Sequence, residues 1–196
     1  MNRRSALIAA LLVSASTLTG CAKGTMGGGG WVTLFDGNSL DNWRPIGDAN
    51  WRLEGGSVVA DKGTGFLVSK NAYANFQIKA EFWVDDAANS GIFIRSTDAG
   101  KITAKNAYEV NVFDQCPDPS YGTGAIVDVA KAAVVLKAGG HWNTYEITAQ
   151  GAEFTVTLNG VRTVDRVRDT QHARGFIGLQ YAGGVVKFRK LEIREI

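Results

Sequence analysis

Phe76-Gln77-Ile78-Lys79-Ala80-Glu81-Phe82-Trp83-Val84 has an apolar residue at every even position, and the period of two sends Glu81 and Trp83 to the face opposite Ile78, Ala80 and Phe82. Two later runs repeat the pattern. In Ser90-Gly91-Ile92-Phe93-Ile94-Arg95, Ile92 and Ile94 point inward and Phe93 and Arg95 outward. In Tyr108-Glu109-Val110-Asn111-Val112-Phe113-Asp114, Val110 and Val112 point inward, and Glu109, Asn111 and Phe113 point away. A sheet face that only met water would carry Lys, Thr and Ser. These faces instead offer acids and an amide for hydroxyl groups, flat rings for stacking and a guanidinium for an oxyanion.

Beyond these runs, short alternating segments recur with turn signals between them, and nothing after residue 30 sustains a helical period. Asp36-Gly37 and Gly55-Gly56 mark early turns. Asn159-Gly160 lies between Phe154–Leu158 and Val161–Val164 and is the strongest hairpin signal, because both residues accept the positive φ of a type I′ turn. Lys131 to Leu136 reads equally as a short helix or as a loop strand. About ten to thirteen strands in one domain predict an all-β, two-sheet jelly-roll sandwich. Ile78, Ala80, Phe82, Ile92, Ile94, Val110, Val112, Phe154, Val156, Leu158, Ile177 and Leu179 are expected to fill it. Glu81, Arg95 and Glu109 are expected to share the opposite face of one sheet, curved into a groove.

Residues 1–20 read as a secretory signal: Arg3 and Arg4, an apolar stretch from Ala6 to Val13, then small residues, too short for a membrane span. Leu18-Thr19-Gly20-Cys21 resembles the bacterial lipobox, which implies a lipidated Cys21 and a lipid-anchored place in the cell envelope, periplasmic or at the outer-membrane surface. Residues 21–30 then form a Gly-rich tether, and 31–196 the globular domain. Of the 21 Lys and Arg residues, Arg3 and Arg4 leave with the signal, so 19 bases face 19 acids in the mature chain. That neutrality argues against a nucleic-acid partner. With Cys21 acylated, Cys116 is the remaining thiol, and stability is expected to come from the core rather than from a disulfide. No protein partner is identifiable.

Leu34-Phe35-Asp36-Gly37 with Leu40-Asp41-Asn42-Trp43, Asn89–Arg95, Tyr108-Glu109-Val110, Thr123-Gly124-Ala125-Ile126, His141-Trp142-Asn143, Leu158-Asn159-Gly160, Gly178-Leu179-Gln180 and Phe188-Arg189 stand in the order found in one family. The chain resembles the 3-keto-disaccharide hydrolase domain family, over about residues 31–196. That family is similar to the concanavalin A-like jelly rolls of laminarinase-type glucanases. The resemblance implies the same sandwich, a site on a concave face, and action on sugars already oxidised at C3. It departs from the usual pattern at Val127, where an aromatic is common, at Ala182, where a histidine is common, and at Lys190, where an asparagine is common.

Retaining glycosidases need two carboxyls about 5 Å apart. The laminarinase-type spacing of three acids falls here on Glu109, Asn111 and Asp114, an amide in the middle, which argues against a conventional glucanase. A 3-keto group acidifies the C2 proton, so the aglycone can leave from C1 by elimination, with water added afterwards. Glu81 and Glu109 are the candidate base and acid, and Arg95 the candidate enolate stabiliser. Trp83, Phe93, Asn89, Asn111, Asp114 and Gln180 are candidate substrate contacts. Glu81 and Arg95 also read as a cross-strand ion pair, Trp83 and Phe93 as cover for the sandwich rim, and His141 and His172 as surface histidines. No cofactor is required; a divalent metal is compatible with the acids, but no ligand spacing is diagnostic. The same groove also fits a non-catalytic carbohydrate-binding lipoprotein, and a structural envelope protein without ligand is a third possibility.

Overall fold

A computed structural model of the chain describes residues 29–196; Cys21, the signal segment and most of the tether lie outside the described residues. Thirteen strands occur among these residues: β1 (Val32–Phe35), β2 (Trp43–Gly47), β3 (Arg52–Glu54), β4 (Ser57–Ala60), β5 (Gly65–Tyr73), β6 (Phe76–Val84), β7 (Ser90–Ser96), β8 (Tyr108–Val112), β9 (Trp142–Gln150), β10 (Glu153–Leu158), β11 (Val161–Arg168), β12 (Gly175–Tyr181) and β13 (Val186–Glu195). They form two antiparallel sheets. The larger runs β11-β10-β9-β6-β13-β4-β3, with β1 also paired to β13, and the smaller runs β2-β5-β12-β7-β8.

The sandwich closes because each strand turns one alternating face to the other sheet. All twelve residues expected in the core belong to one buried cluster. Phe82 stacks on Tyr145 with ring centroids 4.9 Å apart. The Tyr145 hydroxyl crosses from the larger sheet and donates to the Asn111 carbonyl in the smaller one at 2.6 Å. Asn159 and Gly160 take φ of 50° and 81° and close the β10–β11 hairpin as their chemistry requires. Lys131 to Leu136 is neither helix nor strand; Ala132 and Ala133 donate backbone N–H groups to Ser120 and Thr163.

The period of two fails in β7. Phe93 pairs with Gly178 and Ser96 with Phe176, so Ile94 and Arg95 together face Ile177 across a β-bulge, and Arg95 takes φ 54°. The bulge turns the guanidinium into the end of the sandwich instead of out of the sheet. There it is 1% exposed, lies 5.1 Å from the Phe154 ring, and donates to the carbonyls of Ala74 (2.8 Å), Gly151 (2.7 Å) and His172 (3.1 Å). One side chain thereby fastens three connections at the same end. Removing it deletes three hydrogen bonds from a charged donor, each worth about 1.5–3 kcal/mol. Arg95→Ala is expected to destabilise the domain by about 3 kcal/mol or more, a fall in Tm of about 6–12 °C by calorimetry; a change of less than about 2 °C would contradict this role.

Candidate functional site

The outer face of the smaller sheet is built in two rows set by strand register. In one row lie Ile46, Phe66 and Gln180, with Gly91 and Asn111 continuing it on β7 and β8. In the next lie Arg44, Val68, Gly178, Phe93 and Glu109. The second row has an apolar floor. Phe93 meets Phe66 edge to face at 5.1 Å, and the 97–107 connection folds back so that Ile102 and Ala107 pack on Val68 and Phe93. A Cβ at Gly178 would fall 2.7 Å from the Ile102 Cδ1, so glycine lets that connection close onto the sheet. Gly91 does the same for an acid: a Cβ there would lie 3.2 Å from the Glu109 Cγ and 3.3 Å from its Oε1. Glu109 therefore extends over Gly91, the residue that separates it from Gln180. A cleft of about 280 Å³ continues beyond, between Ile46, Phe66, Lys101, Ile102, Gln180 and Ala182.

This setting changes the acidity of Glu109. Its burial beside Phe93, and then the negative charge of Asp128, push its pKa from the ordinary 4.5 up to about 7. Asp128 stands at the tip of a tight turn in which Ile126 and Ala130 exchange backbone hydrogen bonds, and it takes φ 60°. The turn follows Gly124–Val127, which runs along β8: Asn111 donates to the Ala125 carbonyl and Val127 to that of Glu109. Gln180 brings a second unusual feature, a buried Oε1 without a partner among the described residues. The arrangement thus offers a carboxyl poised to gain or lose a proton near neutrality, beside an amide with free hydrogen-bonding capacity.

The residues expected to share one groove are divided. Glu109, Phe93 and Gln180 lie on this face. Glu81 and Trp83 are on β6 in the larger sheet and point away from its core-facing residues, so they occupy the opposite outer surface. Two packed sheets stand about 10 Å apart, and the side chains diverge from there, so Glu81 and Glu109 do not meet one substrate. Arg95 does not reach the face, because of its bulge, and neither forms an ion pair with Glu81 nor faces an enolate. Asn111 is 5% exposed and its Nδ2 is spent on the Tyr121 carbonyl at 2.8 Å. Asp114 accepts from Thr123 and from the N–H groups of Ala138 and Gly139, which ties two loops together. Asn89 sits in the connection before β7, bonded through its backbone to Gly183 and Ala182. Phe93 is 2% exposed, a floor rather than a stacking platform. His141 binds the Gly139 carbonyl, and His172 borders the Arg95 end.

Asp128, Lys101 and Phe66 join the site without having been expected there. Phe66 stands in the unbroken apolar run Phe66-Leu67-Val68, in which only Leu67 faces the core, so no alternation marks it as outward. Lys101 and Asp128 lie in irregular connections, where no period exists to place them. Of the three departures, Ala182 lines the cleft and Val127 ends the strip along β8, whereas Lys190 is on β13 in the other sheet. Among the described residues, no three His, Cys, Asp or Glu side chains gather closely enough to hold a metal ion.

Comparison with known proteins agrees with this architecture. A protein from Parabacteroides distasonis ATCC 8503, named as a candidate glycosyl hydrolase, superposes with a TM-score of 0.71 at 26% identity, over 85% of this chain and 100% of that one. The carbohydrate binding module CBM66 from Bacillus subtilis shares the fold, with a TM-score of 0.58 at 17% identity over 84% of this chain and 95% of that one. The 3-keto-disaccharide hydrolase of Bacteroides thetaiotaomicron is 26% identical over 153 residues, which cover 60% of this chain and 52% of the relative. The chain thus spans about half the length of that curated relative. Residues 30–194 match the 3-keto-alpha-glucoside-1,2-lyase-like domain, and the chain belongs to that family.

Proposed function

We propose that the protein cleaves 3-keto-glycosides, 3-keto-disaccharides among them, on the outer face of the smaller sheet, with Glu109 as the group that moves the proton. The observation that carries the reading is Glu109 itself, a carboxyl held near pH 7 over a glycine gap in the sheet of a domain of this family. Glu109 takes the C2 proton, the C1–O bond breaks as the C1–C2 double bond forms, and the proton passes to the departing oxygen. Water then adds at C1 and C2 is reprotonated, so the net change is hydrolysis. Lys101, which lines the adjoining cleft with Gln180, donates to the oxygen at C3 as charge develops there, and the unpaired Gln180 Oε1 accepts from a sugar hydroxyl. Cys21 carries the lipid that holds the domain at the envelope; Cys21→Ser is expected to move the protein from the membrane fraction to the soluble one, and an unchanged distribution would count against it. The second reading, a carbohydrate-binding module, is favoured by Ala182, whose methyl group stands in the cleft wall and supplies no catalytic group.

The protein, offered 3-keto-disaccharides beside their unoxidised parents, is expected to release reducing sugar from the keto compounds alone. Glu109→Gln should lower kcat by about 10²-fold or more, and Glu81→Gln should leave it unchanged. Saturable binding of unoxidised sugar without any release would favour the second reading.

Stability reports on Glu109 separately. The unfolded chain ionises this carboxyl near 4.5 and the folded protein near 7, so between these values the folded state holds the extra proton. Stability from this group is therefore fully present below the unfolded value, falls as pH rises through about 7, and is then level. Denaturation in urea at pH 5 and pH 8 should show the loss in the natural protein and a smaller one in Glu109→Gln; equal losses in both would place the effect elsewhere.

A further inference from the structure

The larger sheet carries on its outer face a group of side chains that the chemistry above does not use. Its centre is a second bulge. On β13, Phe188 pairs with Phe82 and Lys190 with Glu81, leaving Arg189 as the extra residue, and Arg189 and Lys190 are both exposed. Regular alternation would have buried one of them. Arg189 is held in place from two sides: its Nε donates to Glu81, and its guanidinium stacks 4.2 Å from the Trp142 ring. Trp142 is 37% exposed and stands directly across from Trp83, whose ring is covered by the Lys187 ammonium at 4.8 Å. Beside this group opens a cleft of about 360 Å³ lined by Thr33, Asp36, Gly56, Glu81, Arg189 and Lys190. Its far wall is a built contact between two turns, since a Cβ on Gly37 would fall 2.2 Å from the Gly56 carbonyl oxygen.

We infer that this face is a second carbohydrate-binding site, for a neutral glycan, separate from the Glu109 groove. Asp36 and Glu81 accept hydrogen bonds from sugar hydroxyls, while Arg189, Lys190 and Thr33 donate to them. The exposed Trp142 ring supplies an apolar surface for the C–H face of a pyranose. Two acids and two bases line the cleft, so its charge balances and a polyanion gains little there. The guanidinium is already fixed by Glu81 and Trp142, so little side-chain freedom is lost on binding. A catalytic groove on one face and a glycan grip on the other would hold the domain against a polymer while short products are processed.

Affinity electrophoresis of the full chain through gels containing dextran, mixed-linkage β-glucan or dextran sulfate tests this. Retardation by a neutral glucan is expected. Trp142→Ala and, on a different element, Asp36→Asn should each weaken it about tenfold, and Glu109→Gln should leave it intact. No retardation by either neutral glucan, retardation by dextran sulfate alone, retardation that both variants retain, or its loss in Glu109→Gln would each overturn the inference. The Glu109 variant also separates this site from the catalytic reading, because the gel measures binding whether or not the protein turns over keto-sugars.

Discussion

The pleat of a β-strand allots each side chain to one of two sides, and in a two-sheet sandwich those sides become three places: the dry interior and two outer surfaces that do not communicate. The interior is fixed by Phe82, Tyr145 and Phe188 from one sheet against Ile92, Val110 and Leu179 from the other. Everything polar must then find a partner at a rim, face water or serve a ligand, because an unpaired buried polar group costs too much to keep without reason. The Tyr145 hydroxyl meets this demand inside the core by bonding the Asn111 carbonyl, and Arg95 meets it at the sandwich end with three carbonyls.

This constraint explains what could be read from the chain and what could not. Alternation in Phe76–Val84, Ser90–Arg95 and Tyr108–Val112 separates inside from outside, and the inward residues are buried as expected. It does not say which outside. That depends on pairing between distant segments: β6 joins β9 and β13, whereas β7 joins β8 and β12. Glu81 and Glu109 read alike in the sequence and end on opposite surfaces for this reason. Arg95 failed differently, because a bulge inserts one residue and the period carries no mark of it. Asp128 and Lys101 sit in irregular connections, whose backbone is shaped by contacts made after the sheets have formed.

The two bulges show one device used to opposite ends. In β7 the extra residue turns a cation inward, where three carbonyls wait at the end of the sandwich. In β13 it places Arg189 beside Lys190 on the outer face, with Glu81 and Trp142 to hold it. What decides between these outcomes is the surroundings of the strand. Arg95 lies close to loop carbonyls that need a donor, whereas β13 runs through the middle of its sheet, with Phe188 and Leu191 already filling the interior.

On the other face, the charge around Glu109 limits the chemistry open to it. A glycosidic bond broken by way of an oxocarbenium ion asks for a second carboxyl about 5 Å away, to act as nucleophile or to activate water. The matching positions hold Asn111, spent on the Tyr121 carbonyl, and Asp114, spent on Thr123 and two backbone N–H groups. Asp128, exposed at its turn, raises the affinity of Glu109 for a proton rather than supplying a buried nucleophile. One carboxyl near neutrality suits a proton transfer better than a displacement. A sugar with a ketone at C3 needs just that, since the ketone makes the C2 proton acidic and the substrate itself provides the electron sink that the site lacks. The poverty of charge around Glu109 therefore supports a substrate that arrives already activated.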